Sequence, residues 1–589
     1  MPTFQEVSDW IRRSEVGRSA EVESPFGRRR VLYADLTASG RALAFVESRM
    51  ARALPLYANV HSGWSTTGRA TTALREAARG MVANAVGAGP DDVVLFVGSG
   101  ATAAVNKLVG LLGLRIPEPL EREYHLASTI PPERRPVVLA GPYEHHSNEL
   151  PWLESIADLV EVELSADGTI DLDDLRQKAH AYRERPLCIG AISAASNVTG
   201  VITDIRAVCR VLHGEGALAC IDYAAAGPYV PIDMHPGDEA ARVDALFLST
   251  HKFMGGPGAS GILVANRSLF RSRVPERPGG GTVDYVGPGS ADRHGRAGVA
   301  DRDHDGGSGP ATAGLNVDYV LRLTDREEGG TPNILGDVRA GCAMAVKELA
   351  GPERLLAHEV ALGEQVVRRL RAHPRLRLLG PTSGSRLPIV SFNVEGLHHE
   401  FVSVLLDHLF GIQTRAGCSC AGPYGHRLLG IDDRTSRRYR RLIQEGVLGV
   451  KPGWVRFSVP YYASRADVEF LLTAVETVAD IGRAFVPLYE FSWRDASWRW
   501  PGSTPPVRSS LLAELAELWR SGDSAAASEP TLDEDELVRD RTRYLEEARS
   551  RAEELEVRWR QTPPAWNRPT GRGELDDLVW FRYVETVGL

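Results

Sequence analysis

Residues 245–258 read ALFLSTHKFMGGPG. The run Ala245–Ser249 is short and apolar, as expected of a buried strand, and Lys252 follows directly at its end. A lysine at a strand end beneath a layer of helices is partly desolvated. Desolvation disfavours its charged form and frees the amine lone pair, which is what a carbonyl-binding lysine needs. Taken alone the lysine reads as a solvated surface charge, so its meaning depends on its neighbours.

Working outward, the same pattern recurs from about 31 to 270. Val93–Val97, Pro136–Ala140, Leu187–Ile192 and Leu218–Asp222 are apolar runs, each ending in small or polar residues and separated by helical stretches. Apolar strands alternating with helices predict an α/β fold with a mainly parallel sheet between two helix layers. Ligands of such sheets lie beyond the carboxyl ends of the strands, and the reactive residues stand there. Asp222 closes one run, where it would serve either as a helix N-cap or as the partner of a protonated ring nitrogen. Gly98-Ser-Gly-Ala-Thr102 precedes the apolar stretch AAVNKLVGLLGL. A helix start of this kind offers N–H groups to a phosphate, with the hydroxyls of Thr102 and Ser249 in support. Glu144-His-His-Ser-Asn148 supplies an imidazole that could stack on a planar cofactor or serve the structure only.

The chain has 589 residues, 43% of them hydrophobic, with a formal net charge of -9. The acidic balance argues against a nucleic-acid or anionic-membrane binder. No apolar run has the length of a membrane span, and the N-terminus lacks the order of a signal peptide. Six cysteines in so long a chain point to a reducing, cytoplasmic setting rather than a disulfide framework.

Four units are expected: an N-terminal segment 1–30 packing with the small domain, a large domain 31–331, a small α/β domain 332–490, and a Trp-rich helical extension 491–589. Residues 284–315, rich in Gly, Asp and Arg, read as a mobile surface insertion in the large domain. The segment PNILGDVRAGCAMAVKELA, from 332, opens the small domain. In the extension Leu511–Trp519 is a short helix. Leu537, Tyr544, Leu545, Ala548, Ala552, Leu555 and Trp559 then form one stripe of an amphipathic helix.

The glycine turn with Thr102, EHH at 144–146, SNVTG at 196–200, the strand end at Asp222, STHK at 249–252 and GGGTV at 279–283 come in one order, followed by EEGGTPN, RAGCSC and VRFS. This ordered set resembles the class V aminotransferase superfamily of pyridoxal-phosphate (PLP) enzymes, and within it the cysteine desulfurase and selenocysteine lyase branch, over about residues 31 to 485. The resemblance implies the type I fold of PLP-dependent transferases, PLP as cofactor, and Lys252 as its Schiff-base lysine. It implies that His145 stacks on the ring, Asp222 pairs with the ring nitrogen and Asn197 bonds the 3-oxygen side. Gly100, Ala101, Thr102, Ser249 and His251 would hold the phosphate. Thr282 would be lent to a partner subunit's phosphate, making the protein a homodimer. Arg456 would clamp the substrate carboxylate, a task suited to a guanidinium fork, with Arg415 and Asn197 beside the substrate.

By the same resemblance Cys420, in ThrArgAlaGlyCysSerCysAla at 414–421, would attack the substrate's sulfur. That chemistry wants a thiolate near positive charge on a mobile loop. Cys418 would accept the persulfide or contribute nothing. A metal site is not expected, because only His426 lies near the cysteine pair. The expected activity is release of sulfur from L-cysteine, giving alanine and a persulfide on Cys420, with an acceptor protein as partner. The alternative is another class V reaction: a C–S or C–Se lyase, an epimerase or an aminotransferase-like step. A binding scaffold without turnover would have no need of the lysine, aspartate and arginine together. One departure stands out: Ala225 occupies the place of the glutamine usual in these relatives. The basic run 434–441 reads as a solvated helix face or a dock for an acidic partner. The extension reads as a stabilising outer layer, or as a dock for a sulfur acceptor or a lid.

Overall fold

The computed structural model describes residues 3–289, 314–381, 384–502, 510–521 and 532–587. Seven strands form the large sheet: β1 Asp92–Val97, β2 Val137–Ala140, β3 Asp158–Glu161, β4 Cys188–Ser193, β5 Leu218–Asp222, β6 Ala245–Ser249 and β7 Gly261–Asn266. Their order is β1-β7-β6-β5-β4-β2-β3. All run parallel except β7, which pairs antiparallel with both β1 and β6. The five apolar runs marked in the sequence are five of these strands. Short β3 and reversed β7 went unmarked.

Alternation along each strand fills both faces. Val94, Phe96, Leu246, Leu248, Ile262 and Val264 pack on one side, and Val93, Leu95, Phe247 and Leu263 on the other. A strand buried on both faces must be apolar throughout, which is why these runs show no polar alternation. The helix Gly100–Leu111 covers the second face, and Thr66–Ala85 and Ile205–Gly214 the first.

A second sheet holds β8 Leu376–Leu378, β9 Ile389–Val394, β10 Arg415–Gly417 and β11 Trp454–Ser458 in the order β8-β9-β11-β10, wholly antiparallel. Helices Pro352–Arg371, His399–Phe410 and Arg465–Phe485 pack on it through a core that includes Val366, Phe392, Phe401, Val455 and Leu471.

Three expectations need revision. The helix Ile334–Ala350 does not open the small domain: Val338, Ala343 and Met344 join the large-domain core, and Gly341 lies against Ala78 of the helix Thr66–Ala85. Its apolar residues match the helix surface beside it in space rather than the domain that follows in sequence. The N-terminal segment divides. Val7 and Ile11 enter the large-domain core, while Phe26, in the hairpin Glu21–Ser24/Gly27–Arg30, meets Phe485 and Trp500. Finally, the ends of the segment 284–315 are not loop, because Val283–Gly289 pairs antiparallel with Gly314–Tyr319. Residues 290–313 of that segment lie outside the described residues.

The extension folds back on the small domain. In the helix Glu534–Gln561 the buried positions are Leu537, Arg541, Tyr544, Ala548, Ala552 and Leu555, so the predicted stripe is its packed face. Trp559 Nε1 donates to the carbonyl of Ala484 at 2.8 Å. The chain then returns to lay Glu585–Val587 beside Glu490–Ser492. The basic run meets an acid within the same chain: Arg438 and Arg441 pair with Glu574 at 3.3 and 3.1 Å, on the helix Gly573–Leu578. Among the described residues no helix is long and apolar enough to cross a membrane.

Candidate active site

The carboxyl ends of β4, β5 and β6 present Ser193, Asp222 and Ser249 at one edge of the sheet. There they line a cavity of about 230 Å³, which is closed from the other side by Arg415, Ser419 and Arg456 of the small domain. Lys252 sits on the single turn Thr250–Lys252 that leaves β6, and its side chain opens into this cavity. Burial pushes its amine down to about 8. Asp222 opposes that shift, while the charges of Arg456 and Arg415 add to it.

The phosphate end is built from the turn after β1. Gly100 has φ +58°, and a Cβ there would come within 2.7 Å of Ser249 Oγ and 2.8 Å of His251 Cε1, so only glycine fits. Ala101 N–H donates to Ser249 Oγ at 2.9 Å, and the hydroxyls of Thr102 and Ser147 are hydrogen-bonded at 2.6 Å. Asp222 takes the N–H of Ala224 at 2.7 Å, as an N-cap would, and burial raises its carboxyl above the usual range. One oxygen thus holds the turn while the residue lines the cavity.

His145 also lines the cavity, and burial, with Lys252 nearby, lowers its imidazole to about 3. Ser147 N–H donates to His145 Nδ1 at 3.1 Å. The neutral ring therefore carries its proton on Nε2. Glu144, just before it, is buried behind the wall. Its carboxylate accepts from Ser193 N–H at 2.7 Å, Ser193 Oγ at 2.6 Å and Asn148 Nδ2 at 2.7 Å, and burial raises it to about 8.

At the substrate end Arg456 is 3% exposed. Nη1 donates to Asn197 O at 3.0 Å and Nη2 to Asp35 Oδ1 at 2.8 Å. Arg415 is paired with Arg456 across β10 and β11, and its guanidinium stands 4.0 Å from Asp35. Asp35, the partner of Arg456, was not among the residues marked in the sequence, nor were Thr37, Ala38, Ser147, Ser193 and Ser419, which line the cavity. The available signal was the small-residue run VLYADLTASG at 31–40. Gly40 in it packs so tightly on the lysine turn that a Cβ would lie 2.1 Å from Phe253 O.

Cys420 is not among the residues lining the cavity, but its neighbour Ser419 is. Burial pushes the Arg456 guanidinium below its ordinary range, with Asp35 opposing the shift. The loop carrying Cys420 is bonded to the large domain at two points. Asn197 Nδ2 donates to Ser419 O, and His146 N–H donates to Cys420 O, both at 2.9 Å. Ser419 and Cys420 adopt φ +50° and +55°, a left-handed pair that non-glycine residues hold only when such contacts impose it. Cys418 packs against the group of Tyr143, Tyr424 and Trp454. Thr282 lies apart from this cavity, buried, with its hydroxyl donating to Gly279 O at 2.7 Å.

The family Aminotransferase class-V matches residues 32–298 and 304–471, and the chain belongs to it. A probable cysteine desulfurase of Streptomyces coelicolor is 28% identical over 427 residues, covering 72% of this chain and 85% of that relative. A cysteine desulfurase of Klebsiella pneumoniae is 29% identical over 372 residues, covering 62% of this chain and 78% of that one. The apo cysteine desulfurase of Thermococcus onnurineus superposes with a TM-score of 0.57 at 25% identity, over 76% of this chain and 95% of its own. The matched family ends before the extension, at residue 471.

The family implies PLP, and the residues present fit it. The cavity holds a depressed lysine, a buried carboxyl, a neutral imidazole and, beside a glycine turn, the hydroxyls of Thr102, Ser147 and Ser249. Asn197 Oδ1 is a buried acceptor with no partner, as a residue awaiting a ligand's donor would be. Ala225 lines the cavity as well.

Proposed function

We propose that this chain is a cysteine desulfurase-like enzyme that takes sulfur from L-cysteine, releasing alanine and leaving a persulfide on Cys420. The observation that supports this most is the convergence of Lys252, Asp222, His145 and Arg456 on one cavity, beside the loop that carries Cys420.

PLP, when bound, supplies a carbonyl for the substrate amine and an electron sink at its α-carbon. Gly100, Ala101, Thr102, Ser249 and His251 would hold its phosphate, and Asp222 would keep a proton at its ring nitrogen. Arg456 orients the substrate carboxylate, with Arg415 beside it. Lys252, whose amine is pushed down to about 8, takes the α-proton and returns one to carbon. Cys420, as thiolate, attacks the substrate sulfur. The carbon–sulfur bond breaks, a sulfur–sulfur bond forms on Cys420, and the carbon fragment is protonated to alanine. Substrate plus thiol thus equals alanine plus persulfide, and a thiol reductant or an acceptor protein then removes the sulfur. The family likeness is the support for a homodimer in which Thr282 would serve the partner's phosphate site.

The test is a joint assay of alanine and sulfide from L-cysteine in the presence of a reductant. Equal amounts are expected, falling at least a hundredfold in Cys420→Ser while the bound PLP absorbance stays. Undiminished alanine release by Cys420→Ser would overturn the thiolate's role.

A further inference from the structure

A second cavity, of about 490 Å³, lies on the outer side of the small domain and shares no lining residue with the Lys252 cavity. Strand β8, at the edge of its sheet, forms one wall. Leu429 and Ile431, at the far end of the helix that begins just after Cys420, form another. Tyr439 comes from the basic helix Asp433–Gln444, and Trp580 from the extension. Trp580 is the lining residue that comes from the part of the chain that the family match does not cover.

Its groups are of three kinds. Trp580 is held by stacking on His399, with ring centroids 5.7 Å apart and planes 11° from parallel, and with Tyr439 it gives the cavity aromatic walls. Arg375 and Arg377 flank it as exposed cations. Arg375 Nη1 donates to Asp480 O at 2.8 Å and Arg377 Nη2 to Leu428 O at 3.5 Å, both backbone carbonyls. Among the described residues neither guanidinium pairs with a carboxylate. Arg483 and Arg582 stand near, over the ring of Trp566, and they too lack a carboxylate partner among the described residues. Burial, then the charges of Arg582 and Arg375, push the Arg483 guanidinium down. Glu395, exposed on the rim, is the acid of the lining. The third kind is an unmet acceptor: Asn393 Nδ2 donates to Gly453 O at 3.1 Å, while Oδ1 is buried with no partner.

Grouped unpaired arginines in a chain of net charge -9 are a local reversal of sign that favours an anion. Guanidinium forks match phosphate and carboxylate, and aromatic walls match a flat ring. The volume falls within the roughly 300–1,000 Å³ usual for small-molecule sites. We propose that this cavity is a ligand site for a flat aromatic anion of about nucleotide size. Its ring lies against Trp580 and Tyr439, its anionic group meets Arg375 and Arg377, and an N–H donor of the ring reaches Asn393 Oδ1.

The experiment is calorimetric titration of the PLP-loaded full chain with adenosine 5′-monophosphate, with 4-aminobenzoate and with inorganic phosphate. Saturable binding of one aromatic ligand, at least tenfold tighter than phosphate, is expected. Preference for the nucleotide or for the aromatic carboxylate identifies which anion the site takes. The double variant R375A/R377A, at exposed positions, should keep the wild-type melting curve and lose at least tenfold in affinity, and Tyr439→Ala should weaken the aromatic ligands but not phosphate. No binding of either aromatic ligand at millimolar concentration, phosphate binding as tight as the nucleotide's, or wild-type affinity in R375A/R377A would each overturn the proposal.

Discussion

Lys252 and Asp35 are two residues whose chemistry depends on what surrounds them. An amine lowered to about 8 is largely protonated at pH 7 and largely free at pH 9. Capture of PLP by the apo protein, followed by its absorbance, should therefore speed up with pH, with a midpoint near 8. Replacing Arg456 or Arg415 by Gln should move that midpoint upward, because each removes a neighbouring positive charge that disfavours the ammonium. Asp35 offsets the charge of Arg456, a guanidinium nearly sealed from solvent. Asp35→Asn leaves that charge uncompensated, at a cost of about 3 kcal/mol for a broken buried pair. Chemical denaturation of the apo protein should show the loss, and the melting curve of Asp35→Glu should lie nearer the wild type.

Among the elements, the segment between β10 and the helix Gly422–Leu429 is the one whose character most affects the chemistry. Its two left-handed residues are held by bonds from Asn197 and His146, and His146 Nε2 also accepts the N–H of Gly422 at 3.1 Å. His146 is not a lining residue of the Lys252 cavity. His146→Ala should thus leave PLP content unchanged. It removes one hydrogen bond worth about 1 kcal/mol, which corresponds to about a fivefold shift toward open loop conformations. Alkylation of Cys420 by iodoacetamide, read by mass spectrometry, should accelerate by about that factor. An unchanged rate would mean that the backbone bonds alone hold the loop.

Across the whole molecule, the extension is tied to the small domain by charge as well as by its apolar stripe. Asp467 pairs with Arg541 at 2.6 Å and with Arg18 at 3.2 Å, so one buried carboxylate links the extension, the small domain and the N-terminal segment. Burial alone would raise this carboxyl, but the two arginines outweigh it and leave it at about 2, below its ordinary 3.8. A carboxylate depressed on folding contributes stability above its unfolded value, and the contribution is lost as pH falls from about 4 to about 2. Its size is roughly 2 kcal/mol. Asp467→Asn should be less stable than wild type by at least that amount at pH 7, with the gap closing below pH 4 in urea unfolding. A chain ending at 490 should aggregate, because it uncovers core residues such as Tyr489 and Phe401 that pack on Trp500 and Trp498.

The sequence by itself determined the class of fold and most of the large-domain half of the site. Buried parallel strands must be apolar on both faces, and ligand groups must follow their carboxyl ends, so Lys252, Asp222, Ser249 and the turn at Gly100 were legible as local patterns. The stripe from Leu537 to Leu555 was legible for the same reason: helical period is a local property. Tertiary structure alone decided the rest. Asp35 meets Arg456 across 421 positions of chain, and no local spacing encodes that pairing. The helix Ile334–Ala350 shows an apolar surface in its sequence but not the partner that surface covers. The restraint on Cys420 comes from Asn197 and His146, and the acid that meets the basic run comes from Glu574. Each of these contacts joins segments far apart in the chain, so only the packed molecule specifies them.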